Sequence, residues 1–227
     1  MDKELQKDIL QWDVQSWSRP LRYWEQAVDW SKIENVLELG SNLGGLSLWL
    51  ALKNKKVICS DRVDSQKKAE HLHTKYGLNG NVVYRDIDAT SIPFENHFDL
   101  IVFKSVVTVI GRDGDRDIQI RVFDQVYKAL KPGGTVLFAE NLKASRLHQW
   151  SRKKFIEWGG SARYLALEDM SLFLEKFSSR KIYTTGVLAT FGRSEKQRKV
   201  LAGIDSVFLN RLCPSRWNYI VYGSAVK

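Results

Sequence analysis

The sequence predicts an α/β fold built on a parallel sheet, and three observations predict it. Short apolar runs alternate with helical patterns from residue 35 to residue 140. The first run, NVLEL, opens into the glycine-bearing turn SNLGG and restarts as the helical pattern LSLWLA. A strong stop signal, KPGG at 131–134, separates a helical stretch from the run TVLFA. Strands and helices alternating at this spacing mean βαβ units with right-handed crossovers.

Taken in order, residues 5–30 read as helix, with Leu5, Ile9, Leu10, Val14 and Trp17 near helical spacing and a break expected at Pro20. A second short helix, 21–30, carries Tyr23, Trp24, Ala27 and Trp30. Strands are expected at 35–39, 56–60, 82–84, 98–103 and 135–139, and helices at 44–52, 64–76 and 118–130. Gly77 ends the second of these helices. The fourth strand, FDLIVF, is unbroken and apolar, which suits burial on both faces. Beyond Glu140 the pattern changes to helices over 144–158 and 167–177. Two late strands, RKIYTTGVLAT and WNYIVYGSAV, flank a helical stretch and are expected to pair antiparallel at one edge. The organisation expected is a helical cap over 1–34 and one α/β domain over 35–227, with insertions near 141–165 and 191–216 that shape acceptor choice.

Length and composition bound the function. The 227 residues suffice for one well-buried α/β domain. The N-terminus carries charges throughout and lacks the apolar core of a secretory signal, and no apolar run approaches a bilayer span. Only Cys59 and Cys213 occur, with Cys59 inside an apolar run, which points to a reducing cytoplasm. The charge is uneven. Residues 1–140 hold 19 Lys+Arg and 20 Asp+Glu, whereas residues 141–227 hold 16 and 6. A basic last third suggests an anionic partner or surface, or a solvated basic face with no specific partner.

The glycine turn asks what ligand approaches it. A dinucleotide fingerprint wants G-x-G-x-x-G. Here Gly40, Ser41, Asn42, Leu43, Gly44 and Gly45 occupy the turn, and Asn42 stands where the second glycine belongs. Asn tolerates left-handed backbone, so a tight turn survives. Asp61, followed by Arg62, ends the second strand, where a carboxylate can accept from two ribose hydroxyls. Asp88 and Ala89 lie in DIDATSIPF after the third strand, placed to meet an adenine, or Asp88 simply forms a turn. Lys104 and Ser105 close the fourth strand.

These segments together resemble a class I S-adenosylmethionine-dependent methyltransferase. The resemblance rests on VLELGSNLGG, Asp61, Asp88-Ala89 through Pro93-Phe94, FDLI and LKPGG, in that order over about residues 35–140. It is nearest the group that includes quinone-biosynthesis C-methyltransferases and many small-molecule and glycan methyltransferases. It implies a Rossmann-like three-layer sandwich whose seven-stranded, mostly parallel sheet has an antiparallel last strand. It implies S-adenosyl-L-methionine as cofactor, S-adenosyl-L-homocysteine as product and no metal. Glu38 and the turn from Gly40 through Ser41 and Asn42 to Gly44 would surround the methionine part. Asp61 with Arg62 would hold the ribose, Asp88 with Ala89 would meet the adenine, and Lys104 would border the same site.

Methyl transfer from a sulfonium depends mainly on alignment, and a base is needed only where the acceptor must lose a proton. Two candidate bases lie beyond the fifth strand: His148, otherwise a solvent-facing helical histidine, and Glu140, otherwise a structural acceptor. Asp113, Asp115 and Asp117 in GRDGDRD lack the closing glutamate of a calcium loop, and His71 and His73 point apart on a helix. Trp12, Trp17, Tyr23, Trp24 and Trp30 could form a lid or pack an added helix pair, with Arg19, Arg22 and Tyr23 the positions nearest that role. The expected acceptor is a small molecule or glycan, anionic in character and methylated at oxygen. RNA, a non-catalytic cofactor-binding scaffold and contact with a membrane surface stand as alternatives, and oligomeric state is not readable.

Overall fold

A computed structural model describes residues 2–78, 80–155 and 162–227. The chain opens with α1 (Lys3–Leu10) and α2 (Val14–Ala27), then enters the sheet at β1 (Asn35–Leu39). There follow α3 (Gly45–Ala51), β2 (Lys56–Asp61), α4 (Ser65–Lys75), β3 (Val82–Asp86) and β4 (Phe98–Lys104). Next come α5 (Val107–Ile110), α6 (Arg116–Ala129), β5 (Leu130–Asn141), α7 (Arg146–Phe155) and α8 (Asp169–Phe173). The chain closes with β6 (Ser179–Thr185), α9 (Glu195–Ile204) and β7 (Ile220–Val226). Part of the expected helix over 144–158, and of the expected insertion over 141–165, lies outside the described residues.

The seven strands run in the order β3-β2-β1-β4-β5-β7-β6. β1 to β5 are mutually parallel, and β7 is antiparallel to both β5 and β6. The late strands therefore pair as expected, with the last strand inserted between β5 and its own partner. Strand order reverses between β1 and β4, so the crevice at their carboxyl ends is the natural ligand position.

Two hydrophobic clusters cover the two faces. Leu37, Phe103, Phe123, Phe138 and Phe173 form one, beneath α6 and α8. Trp17, Trp24, Leu48, Leu50 and Val102 form the other, beneath α1, α2, α3 and α9. Burying a large apolar side chain contributes roughly 1.5–3 kcal/mol, so the fully buried Trp17 and Trp24 tie α2 firmly to the sheet.

The break expected at Pro20 falls elsewhere. Pro20 lies inside α2, and the chain turns instead at Gln11 and Asp13, both with positive φ. The cause is tertiary. Glu195, at the start of α9, accepts the amides of Asp13 and Val14 at 2.9 and 3.3 Å and so caps α2 from outside. The aspartate-rich stretch after Gly111 is likewise not a free loop, because Asp115 caps α6 through the Ile118 amide.

Candidate active site

The glycine turn is held by close packing. Gly40 has φ +61°, and a Cβ there would lie 2.5 Å from Val106 Cγ2. Gly44 has φ +76°, and a Cβ would strike Ala69 and His73. His73 donates from Nε2 to the Gly44 carbonyl at 2.9 Å and accepts the Tyr84 hydroxyl at Nδ1 at 2.8 Å. Asn42, the departure from the glycine pattern, takes φ +47° and reaches Gln11 with its side-chain amide. The turn thus keeps its shape without the second glycine, aided by α1.

Strand-end carboxylates fix the surrounding loops. Asp61 accepts the Asn42 amide at 3.0 Å and its neighbour Arg62's amide at 2.7 Å, and Lys68 stands 3.3 Å away. It therefore holds β2's end against the glycine turn. Asp88 accepts the amide and hydroxyl of Thr90 on one oxygen, and these bonds hold its carboxyl below the usual range. Ala89 beside it is buried. Asp61, Asp88 and the glycine turn thus share one edge of the sheet.

Glu38 does not face that edge freely. Its carboxylate is fully buried and accepts the Ser47 amide at 2.7 Å and the Ser47 hydroxyl, at the start of α3. Burial pushes it up to about 7, against these hydrogen bonds. It shapes the turn from behind.

Beside the turn lies a polar cluster that the sequence did not reveal. Asp13, at the start of α2, is buried and accepts the Tyr219 hydroxyl on Oδ2. Burial raises it to about 6, opposed by that hydrogen bond. Lys104, at the end of β4, sets its ammonium 4.8 Å from the Trp17 ring centroid. Burial lowers it to about 8, opposed by the carboxylates of Glu38, Glu140 and Asp13. Among the described residues, Asp13 Oδ1, Ser16 Oγ, Trp17 Nε1 and Ser41 Oγ are buried with no hydrogen bond of ordinary length, although Ser16 lies near enough to Asp13, and Ser41 near enough to Cys59, to favour their ionised forms. Native interiors rarely leave such atoms unpaired, so these four call for a partner, either water or a ligand. The only sequence sign was the density of polar residues among the aromatics of α2.

Both candidate bases hold structural posts instead. His148 is buried, not solvent-facing: Nε2 donates to the Val187 carbonyl and Nδ1 accepts from Ser145, each at 2.7 Å. Burial lowers its proton affinity. Glu140 lies inside β5 and accepts the amides of Val106 and Val107 at 2.7 and 2.8 Å, with Thr108 completing the set. It anchors the turn that follows β4. Neither group presents a free lone pair to an acceptor.

The aromatic lid is only partly assembled. Tyr23 bonds Ser224 and packs on Tyr183 and Tyr222, and Trp30 packs on Trp49, so both are away from the turn. Trp12 and Trp17 remain at the site's edge, 5.7 Å apart. Arg19 reaches Ser206 beyond α9. After β5 a cavity of about 800 Å³ opens, lined by Leu142, Lys143, Arg146, Leu165, Arg216 and Trp217, with Glu168 the one acid among the described residues of its lining.

Residues 37–138 match the family model of the methyltransferase domain. That match spans under half of the chain, and the fold around it is the one found in S-adenosylmethionine-dependent methyltransferases. No curated protein sequence matches the chain. Among solved structures, it superposes with TM-score 0.64 on Haemonchus contortus phosphoethanolamine N-methyltransferase 2 in complex with S-adenosyl-L-methionine. They share 20% identity, over 93% of this chain and 52% of that one, so this chain spans about half that enzyme's length. A Bacillus halodurans protein matches over 92% of this chain and 99% of its own, at 16% identity and TM-score 0.63. The 4+2 cyclase SpnF matches at 15% identity and TM-score 0.60, over 92% and 80%. At these identities the likeness is one of fold, and the cyclase shows that the methyltransferase fold hosts other chemistry.

Proposed function

We propose that this chain transfers a methyl group from S-adenosylmethionine to an anionic small-molecule or glycan acceptor. The observation that carries the reading is the cluster of unpartnered buried polar atoms around Asp13, Trp17, Ser41 and Lys104. An amino acid end, with one ammonium and one carboxylate, complements it. Asp13 Oδ1 would accept from the ammonium. Lys104, with Trp17 Nε1 and Ser41 Oγ, would meet the carboxylate. Asp61 would hold the ribose, and Asp88 with Ala89 the adenine. A nicotinamide dinucleotide offers no such end to satisfy these atoms.

When bound, S-adenosylmethionine supplies an electrophilic methyl group on sulfur. The chain's own residues orient the reactants and exclude water, and such positioning contributes on the order of 7–11 kcal/mol. With His148 and Glu140 engaged, an acceptor oxygen would arrive ionised or lose its proton to solvent. An amine needs no such help. The cavity beside Lys143, Arg146 and Arg216 suits a negatively charged acceptor. Phosphoethanolamine, named for the Haemonchus contortus enzyme, has that character.

Calorimetry with S-adenosylmethionine and S-adenosylhomocysteine tests the first half. Binding is expected for both, and Asp13→Ala is expected to weaken both at least tenfold. Absence of binding overturns the reading. Labelled methyl transfer across a panel of phosphorylated and carboxylated acceptors tests the second half. A second reading, binding without turnover, is favoured by the engagement of both His148 and Glu140 in structural hydrogen bonds. Retained calorimetric binding with no acceptor methylated anywhere in the panel would support it.

A further inference from the structure

Two helical segments outside the glycine-turn pocket present apolar side chains that the rest of the chain leaves uncovered. The first is α9 with the π-helical turn that continues it, Asp205–Leu209. Here Val200 is 66% exposed, Val207 60%, Phe208 58% and Leu212 77%, with Ile204 among them. Their spacing puts them along one side of the helix. Leu201, Ala202 and Asp205 take the inward side. Exposed Lys196, Lys199 and Arg211 flank the stripe.

The acids of this segment are turned toward the protein. Asp205 is buried and accepts the amides of Val187, Leu188 and Ala189. Glu195 accepts the amides of Asp13 and Val14 and pairs with Arg198 at 2.8 Å. Glu195 stays partly exposed at the start of α9, and from Val200 to Leu212 the exposed side chains are apolar or positive apart from Ser206.

The second segment is α7. Leu147, Trp150 and Phe155 are exposed on it, among exposed Arg146, Lys153 and Lys154, and it contains no acid. α7 faces the entry to α9 across a cavity of about 710 Å³, lined by Leu147, Trp150, Phe191, Arg193 and Arg198. The stretch from Phe191 to Arg193 leads from this cavity into α9. Exposed aliphatic and aromatic side chains of this number, rimmed by cations, mark an interaction surface rather than ordinary solvated exposure.

Charge decides among occupants. A second copy of this chain would bring cations onto cations. Nucleic acid would meet the lysines and arginines, but would leave Val200, Val207 and Leu212 without apolar cover. An anionic bilayer satisfies both features at once: apolar side chains enter the headgroup boundary while cations meet lipid phosphates. We propose that the α7 and α9 surface docks the protein peripherally on an anionic phospholipid membrane. The inference does not rest on methyl transfer.

Flotation with vesicles tests it, using phosphatidylcholine alone and phosphatidylcholine with phosphatidylglycerol in equal parts, without S-adenosylmethionine. The protein is expected to float with the anionic vesicles, to stay behind with the neutral ones, and to detach as salt rises. Tryptophan emission should shift to the blue on the anionic vesicles as Trp150 leaves water. The double variant Val207→Glu, Phe208→Glu is expected to lower vesicle affinity at least tenfold. Lys196→Glu with Lys199→Glu is expected to lower it roughly thirtyfold or more, from two lost cations at about 1 kcal/mol each near the surface. If the first pair disturbs folding, seen by circular dichroism, Val207→Ser with Phe208→Ser replaces it. Failure of the unaltered protein to float on anionic vesicles overturns the proposal. So does undiminished flotation of both double variants, or a dimer in gel filtration that Phe208→Glu dissociates without any vesicle binding. Calorimetric binding of S-adenosylmethionine is a separate measurement, so the two readings fail independently.

Discussion

Residues 35–140 and residues 141–227 share one sheet but use their charged side chains in opposite ways. In the first region, carboxylates at strand ends hold backbone amides. Asp61 holds Asn42, Asp86 holds Asp64 and Ser65, Asp99 holds Glu34 and Asn35, and Glu140 holds Val106 to Thr108. Each bond fixes a loop at one end or the other of the sheet. In the second region, Lys143, Arg146, Lys153, Lys154, Lys199, Arg211 and Arg216 stay at the surface. The first region is nearly balanced in formal charge, and the second carries the basic excess. Acids consumed inside a fold leave no outward field, whereas unconsumed cations do.

Glu140→Ala offers the sharpest way to break that comparison. It orphans buried amides of Val106, Val107 and Thr108, and an unsatisfied buried donor costs about 1–3 kcal/mol. Denaturant unfolding should therefore show a loss of roughly 3 kcal/mol or more. If Glu140 were a catalytic base, Glu140→Gln would instead keep full stability while methyl transfer vanished.

Asp61→Ala should act on binding more than on stability. It removes both the proposed ribose acceptor and the tie to Asn42. S-adenosylmethionine affinity is expected to fall tenfold or more, about 1.4 kcal/mol, by calorimetry. An unchanged affinity removes Asp61 from the site.

The pH dependence of stability separates the buried acids from the lysine at the end of β4. Glu38, raised from 4.5 to about 7, and Asp13, raised from 3.8 to about 6, hold more protons folded than unfolded in between. Stability contributed by these groups thus falls as pH rises through that window. Lys104, lowered from 10.5 to about 8, binds fewer protons folded than unfolded between those values, so its contribution rises with pH there. Asp13→Asn should flatten the acidic slope and Lys104→Met the alkaline one, each read from unfolding midpoints across pH. Slopes unchanged by these variants would mean the two groups are solvated.

Much of the frame is legible in the sequence because its causes are local. The apolar runs and the glycine turn place β1 to β4 within two residues, and the late strands announce an antiparallel pair, whereas β5 starts at Leu130, five residues before the expected 135, and takes in KPGG. What the sequence conceals has its cause far along the chain. Asp13 reads as one more polar residue in a helix until Tyr219, from the start of β7, meets it. Pro20 signals a break that packing overrides, while the real turn at Gln11 and Asp13 depends on Glu195. His148 and Glu140 look like bases from their types and positions. Their partners, Val187 for one and three backbone amides for the other, belong to tertiary structure. Lys104 ends an apolar strand, and its lowered proton affinity arises only when Trp17 closes over it.

The cap on α2 carries one more implication. The first turn of that helix has no side-chain hydrogen bond from its own N-cap, Asp13, and is secured by a glutamate 182 positions further on. Opening the space over Lys104 by lifting the start of α2 would strip those amides of their acceptor unless α9 travelled with it. The start of α2 and the start of α9 are thus fastened to each other, and a membrane that grips α9 would also bear on the helix whose Trp17 lies over Lys104.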